Sequence, residues 1–138
     1  MPLRLGSVVF VCTHNSARSQ FAAAQWQSVT GIPAMSAGSD PAASVNPMAV
    51  EIAGEFGLDL SDQVTRGYDA IPEQPDLVVS VCDRAREHGV PDAGMSLHWS
   101  TPDPVAVGSR SAFRAAFTDL ANRIDRIETR SINEEGPS

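Results

Sequence analysis

The chain has 138 residues, 42% of them apolar, and a formal net charge of −7, which suits one domain with one core and argues against nucleic acid as a partner. Its longest apolar runs, near Val8–Cys12 and Leu77–Cys82, fall far short of the roughly 20 residues that span a bilayer, and the start lacks the pattern of a signal peptide, so no membrane partner and a cytoplasmic location are expected. Two cysteines are too few for a disulfide scaffold and point to catalysis or burial, and in so acidic a chain an anion site must be built locally, from backbone N–H groups and one or two arginines.

Ser7–Cys12, SVVFVC, is a β-branched and aromatic run that reads as a buried strand. Thr13–Ser16 is a polar turn. Good helix formers predict a helix from Ala17 to about Val29, stopped by Gly31-Ile32-Pro33. Ala34–Ala37 reads as a short second strand. Asn46 as cap and Pro47 at the first helical position open a second helix that runs to about Phe56 and ends at Gly57. Leu60–Glu73 lacks periodicity and reads as surface loop. Asp76–Val81 is the clearest buried strand, and Gly94–His98 a further one. Ser100–Gly108, with two prolines and a glycine, reads as loop. Ser109 caps a last helix from Arg110 to about Glu128, whose apolar positions Phe113, Phe117, Leu120, Ile124 and Ile127 fall at helical spacing. Residues 1–128 therefore form the domain, and Thr129–Ser138 reads as a frayed, flexible tail.

Strands alternating with helices predict a parallel sheet covered on both faces. Ligands of such sheets bind beyond the carboxyl ends of the strands. Cys12 and Cys82 each end a predicted strand and Asp103 lies in the loop after another, so topology brings three reactive side chains to one edge.

The segment Cys12-Thr13-His14-Asn15-Ser16-Ala17-Arg18-Ser19 lies between a strand and a helix. A loop wrapped at a helix N-terminus points backbone N–H groups inward and makes a nest for a tetrahedral anion. The same dipoles favour a thiolate, so the Cys12 pKa is expected to fall below about 8.5, into the ~3.5–7.5 range of such sites. Arg18 supplies a planar fork for two oxygens of the anion. Ser16 and Ser19 are placed to donate to the sulfur or to cap the helix, and Asn15 to bond across the loop. His14 either adds charge or faces solvent. The competing account of Cys12, a small buried hydrophobe, does not explain the spacing to Arg18.

The run VVFVCTHNSARSQ resembles the N-terminal signature of the low-molecular-weight protein tyrosine phosphatase superfamily, and within it the arsenate reductases of that fold. Ser36-Ala37-Gly38, Asn46-Pro47, Asp76–Cys82, His98-Trp99 and Asp103-Pro104 extend the resemblance over about residues 7–128. It implies a three-layer α/β/α sandwich around a four-stranded parallel sheet. It also implies that Cys12 attacks arsenate or a phosphate ester held by Thr13 to Ser19, with Asp103 as general acid. Asp103 suits that role by itself, because a carboxylic acid on a loop stiffened by Pro102 and Pro104 can protonate a leaving oxygen. Asp83, Asp92 and Asp125 lack both loop context and resemblance and read as solvated.

In the thioredoxin-coupled reductases a second cysteine attacks the arsenylated nucleophile, and a third takes over the disulfide. Cys82 matches the second, while Gly89 stands roughly where the third would be. The resemblance therefore implies an external thiol reductant (mycothiol, glutathione or a thioredoxin-type system), with Cys82 either joining Cys12 in a disulfide or lying inert. Many relatives carry a Glu near Ala23 that helps form a structural cation site; its absence here argues against a bound potassium, and no bound cofactor or metal is expected. Phosphate ester hydrolysis through a phosphocysteine is the alternative function. The stretch after Asp103, Pro104-Val105-Ala106-Val107-Gly108, lacks the aromatics that hold a tyrosine ring, and Tyr68, the chain's one tyrosine, is a poor substitute for them. A non-enzymatic oxyanion sensor is a third reading, against which the joint presence of Cys12, Arg18 and Asp103 argues.

Overall fold

The structure, a computed structural model, describes residues 7–71 and 74–135, with the side chains of 128–135 left aside. Strand β1 (Val8–Cys12) is wholly buried. Its side chains alternate as a pleated strand requires: Val8, Phe10 and Cys12 enter the larger hydrophobic cluster, Val9 and Val11 the smaller one on the opposite face. β1 is flanked by β2 (Ala34–Gly38) and β3 (Leu77–Ser80), and β4 (Met95–His98) pairs with β3, giving a parallel sheet of order β2-β1-β3-β4. The crossovers leave β1 towards both sides, so its carboxyl end is the topological switch point, where open α/β sheets take their ligands. Cys12 is the last residue of that strand.

The two covering layers are unequal. Helices α1 (Arg18–Thr30), α2 (Pro47–Glu55) and α5 (Arg110–Glu135) send Phe21, Trp26, Ile52, Phe113, Phe117 and Leu120 into one cluster with Phe10. Phe21 stacks on Phe117 with ring centroids 4.1 Å apart, and Arg114 of α5 forks both carboxylate oxygens of Glu55 at the end of α2 (2.7 and 2.9 Å). The other face carries a thinner cover, in which Tyr68 and Ile71 of a short 3-10 turn (Tyr68–Ala70) and its exit join Val90 and Ala93. β4, at the edge, leaves Met95 and Leu97 exposed, so the expected cover on both faces stops short of that strand.

Besides the 3-10 turn inside the stretch read as surface loop, elements differ from the sequence-based expectation at three places. α5 continues to Glu135 instead of ending near Glu128; the first residues able to stop it are Gly136 and Pro137. Residues Thr129 to Glu135, read as tail, are thus helical, and 136–138 lie outside the described residues. A helix α3 (Asp83–His88) follows β3; it has no apolar stripe to announce it and is held by its ends, with Cys82 as N-cap and Gly89 in a positive-φ conformation. Within the stretch read as loop, α4 (Pro104–Val107) makes one helical turn. Asp103 caps it by accepting the N–H of Val105 (3.0 Å), Pro104 fills its first position, and Gly108 closes it in the left-handed region.

Candidate active site

The loop from Cys12 to Arg18 is held from outside by the segment that follows β2. The N–H groups of Ser39, Asp40, Ala42 and Asn46 donate to the carbonyls of Cys12, Thr13, His14 and Ser16 at 2.8–3.3 Å. In a trans peptide the carbonyl of one residue and the N–H of the next point in opposite directions. Carbonyls drawn outward therefore turn the N–H groups of Thr13, His14, Asn15 and Ala17 inward, which is how a nest for an anion is made. Asn15 completes the curl with φ 53°, a left-handed conformation that Asn tolerates better than most residues. Close approach on the other side needs Gly38, paired with Cys12 in the sheet: a Cβ there would stand 2.6 Å from the Thr13 carbonyl. α1 begins behind the loop with Ala17 as an N-cap that offers no side-chain bond, so its first N–H groups are left to the loop interior.

The Cys12 sulfur lies 2.9 Å from the Ser19 hydroxyl and accepts the N–H of Asn15 at 3.2 Å. It is 2% exposed. Burial pushes its thiol above the ordinary value, while the Ser19 hydroxyl and main-chain N–H, the Arg18 guanidinium and the Asn15 N–H pull the other way without prevailing. Against the expected depression, withdrawal of the sulfur from water outweighs the donors around it. Ser16 contributes its carbonyl to Asn46, not a cap to α1. His14 is turned outward, its Nδ1 2.9 Å from the Asp40 carbonyl.

Arg18 is buried, unusually for an arginine. One arm donates to the Thr101 carbonyl at 2.7 Å, and the other lies 3.8 Å from Oδ1 of Asp103. Arg18 thus joins the anion loop to the loop that carries the carboxylic acid. That second loop is anchored by Trp99, whose N–H donates to the Ser80 carbonyl (2.8 Å), and by Thr101, whose hydroxyl reaches Asp119 of α5 (3.5 Å). Thr13, His14, Arg18, Cys82, Arg84 and Asp103 share the lining of one cavity of about 340 Å³. The sulfur of Cys82 is 3.4 Å from the Thr13 hydroxyl and accepts the Ala85 N–H at 3.4 Å. Both cysteines are free thiols.

The profile of the low molecular weight phosphotyrosine protein phosphatase family matches residues 7–137. The chain belongs to that family. It is similar to arsenate reductase 2 of Staphylococcus epidermidis, with 32% identity over 128 residues, 90% of this chain and 97% of that protein. It is also similar to the arsenate reductase of Halalkalibacterium halodurans, with 34% identity over 129 residues, 88% of this chain and 92% of the relative. Among solved structures, an arsenate reductase in the phosphate binding state superposes with a TM-score of 0.77 at 26% identity, covering 90% of this chain and 97% of its own. The four-stranded parallel sheet with its flanking helices is the fold of this phosphatase family.

Two contacts around the loop and Cys82 escaped the sequence reading. Gln20 looked like any polar helix residue, yet it is 2% exposed and its amide reaches across to Asn15 and Val64. A glutamine in the first turn of the helix behind such a loop was the available signal. Asp83, read as solvated, is exposed; it also bonds Nε2 of His98 (2.7 Å) and the Ser100 hydroxyl (3.2 Å), and those bonds hold its carboxyl below the usual range. His98 in turn meets the buried Ser80 hydroxyl through Nδ1 (2.6 Å), so α3, β3 and β4 are tied together beside Cys82. Among the described residues no group of three or more His, Cys, Asp or Glu side chains is placed to hold a metal ion, and no helix is long and apolar enough to cross a membrane.

Proposed function

We propose that the protein is an arsenate reductase in which Cys12 is the nucleophile, the N–H groups of Thr13 to Ala17 with Arg18 hold the oxyanion, and Asp103 serves the departing oxygen. The observation that carries this reading is the position of Cys82, which lines the cavity of Arg18 and Asp103 with its sulfur 3.4 Å from the Thr13 hydroxyl, a place where a second thiol can serve a thiol-dependent reduction. The relatives named above supply the substrate class.

The resting thiol suits a dianionic substrate. Cys12–SH and HAsO₄²⁻ give Cys12–S–AsO₃²⁻ and water: the S–As bond forms, one As–O bond breaks, and the thiol proton with the substrate's own proton leaves on the departing oxygen. Asp103, 42% exposed and within reach of Arg18, relays that proton, a role worth typically 10²–10⁴-fold. A second thiol then attacks the Cys12 sulfur. The S–As pair stays with arsenic, which is reduced from As(V) to As(III) and leaves as arsenite, while the two sulfurs are oxidised to a disulfide. The attacking thiol is external (mycothiol, glutathione or a thioredoxin-type protein) or, with that reductant resetting the enzyme afterwards, Cys82.

Ester hydrolysis is the second reading. Tyr68 favours it, being close enough to both sulfurs that burial and the charges of Cys82 and Cys12 raise its phenol to about 12, and an aromatic beside the loop is what a phosphotyrosine ring needs. One experiment decides. Arsenate-dependent oxidation of a small thiol or of reduced thioredoxin, abolished in Cys12→Ser and cut sharply in Asp103→Asn, with poor turnover of aryl phosphates, supports the reductase. Fast aryl phosphate turnover without arsenate-dependent thiol oxidation would sink it. Cys82→Ser then separates the routes, since full activity with a small thiol eliminates the internal disulfide.

A further inference from the structure

Gln20 stands in the first turn of α1, and its side-chain nitrogen meets three oxygens: the Asn15 carbonyl at 3.1 Å, Oδ1 of Asn15 at 3.1 Å and the Val64 carbonyl at 2.9 Å. Main-chain carbonyls only accept, so this end of the Gln20 amide must be its NH₂, whose two hydrogens are shared among three acceptors. Oδ1 of Asn15 also takes the Arg66 N–H at 3.0 Å, which fixes the flip of that amide too. Its nitrogen, Nδ2, therefore faces Ser19 and donates to the hydroxyl oxygen at 2.8 Å.

Ser19 then has one proton to place. In a helix a serine hydroxyl commonly donates to the carbonyl four residues back, which here is Asn15. The other nearby acceptor within the loop is Oδ1 of Asn15. Gln20 takes one acceptor position of the carbonyl and, with the Arg66 N–H, both positions of Oδ1, which tips the balance towards the Cys12 sulfur, 2.9 Å away. We propose that Gln20 is a positioning residue that biases the Ser19 hydroxyl proton towards the Cys12 sulfur, by bonding the two oxygens of Asn15 that would otherwise compete for it. A donor aimed at sulfur stabilises the form that attacks.

The ionisable groups that act on Cys12 from the surrounding elements are Arg18 of α1 and Tyr68 of the 3-10 turn, with Cys82 at the head of α3 beside Tyr68 and Asp103 of the acid loop beside Arg18. His14 is turned to Asp40. None of these touches Gln20 in the hydrogen-bond set above, so replacing it alters the direction of the relay and leaves the charges in place. The inference rests on Cys12 as the nucleophile and is indifferent to which oxyanion it attacks.

The test reads the sulfur directly. Alkylation of Cys12 by iodoacetamide is followed against pH by mass spectrometry of the peptide, in the full chain and in Gln20→Met, Ser19→Ala and the double variant, with inorganic phosphate as a protecting ligand. The relay requires that Gln20→Met move the midpoint upward by about one pH unit, near tenfold less thiolate at a given pH below it. It also requires that the shift vanish in the Ser19→Ala background and that the protecting concentration of phosphate stay within about twofold, since the loop's outer main-chain bonds are untouched. An unchanged midpoint, the same shift with and without Ser19, or protection lost in parallel with reactivity would each overturn it, the last by making Gln20 a scaffold of the whole loop. A measurement on the unmodified protein stands independently: the side-chain amide protons of Asn15 and Gln20 must exchange slowly with solvent, and free exchange of either refutes the relay. A shifted profile with no arsenate-dependent thiol oxidation would remove the reductase reading and leave the relay standing.

Discussion

At the scale of single residues the site combines a buried sulfur with a buried guanidinium. Arg18 spends one arm on the Thr101 carbonyl, so its planar geometry matters as much as its charge. Arg18→Lys keeps the charge and loses the fork; kcat/KM for the favoured oxyanion substrate is expected to fall about 10²-fold, as for loss of one preorganised donor, with phosphate inhibition weakened in the same assays. Cys12 has a consequence for folding. Its proton is held to a higher pH in the folded chain than in the unfolded one, because burial raises it. In the interval between the two values the folded state binds more protons, so stability is complete below the unfolded thiol's pKa and declines as pH rises through the folded one. Thermal melts from about pH 8 to pH 10 should show this decline, and Cys12→Ser should remove its share.

At the scale of elements, positions are set by contacts between segments far apart in sequence. Gly38 belongs to β2 but shapes the loop after β1, because its α-carbon lies against the Thr13 carbonyl. Gly38→Ala forces the two apart and should cost about 1–3 kcal/mol in chemical denaturation, as overpacking does, with a larger proportional loss of oxyanion protection at Cys12. α3 is pinned at its first turn by Asp83 to His98 and Ser100. Freeing it in Asp83→Ala should speed alkylation of Cys82 several-fold, read by peptide mass spectrometry, while leaving the alkylation of Cys12 in place. The sequence-based reading did well where a local rule acts alone. The strand before Cys12 and the Asn46-Pro47 helix start, with Oδ1 of Asn46 on the Met48 N–H at 2.8 Å, were both legible. The same Asx-Pro signature at Asp103-Pro104 was passed over because the helix behind it is one turn long, too short for periodicity to register. α3 was missed for want of an apolar stripe. In the site, the spacing of Cys12 to Arg18 was readable. The sulfur's ionisation was not, since it depends on how much of the chain closes over it.

For the molecule as a whole, the larger cluster bears the stability, and the reacting groups gather beyond the carboxyl end of β1. Phe117 of α5 stacks on Phe21 of α1 at the centre of the larger cluster, and Phe117→Ala should cost about 3–5 kcal/mol in denaturant titration, with the sheet's registration lost only at unfolding. The larger cluster also holds both tryptophans, Trp26 of α1 and Trp99 after β4, each about 6 Å from Phe10 by ring centroids (6.0 and 6.1 Å). Trp99 stands two positions before Thr101, the residue that grips Arg18. The protein therefore carries its own optical probe of occupancy: any tetrahedral ion that draws the guanidinium towards itself tugs on the backbone beside one indole and leaves the other unmoved. Emission titrated with phosphate in a Trp26→Phe background would report the dissociation constant with no label added.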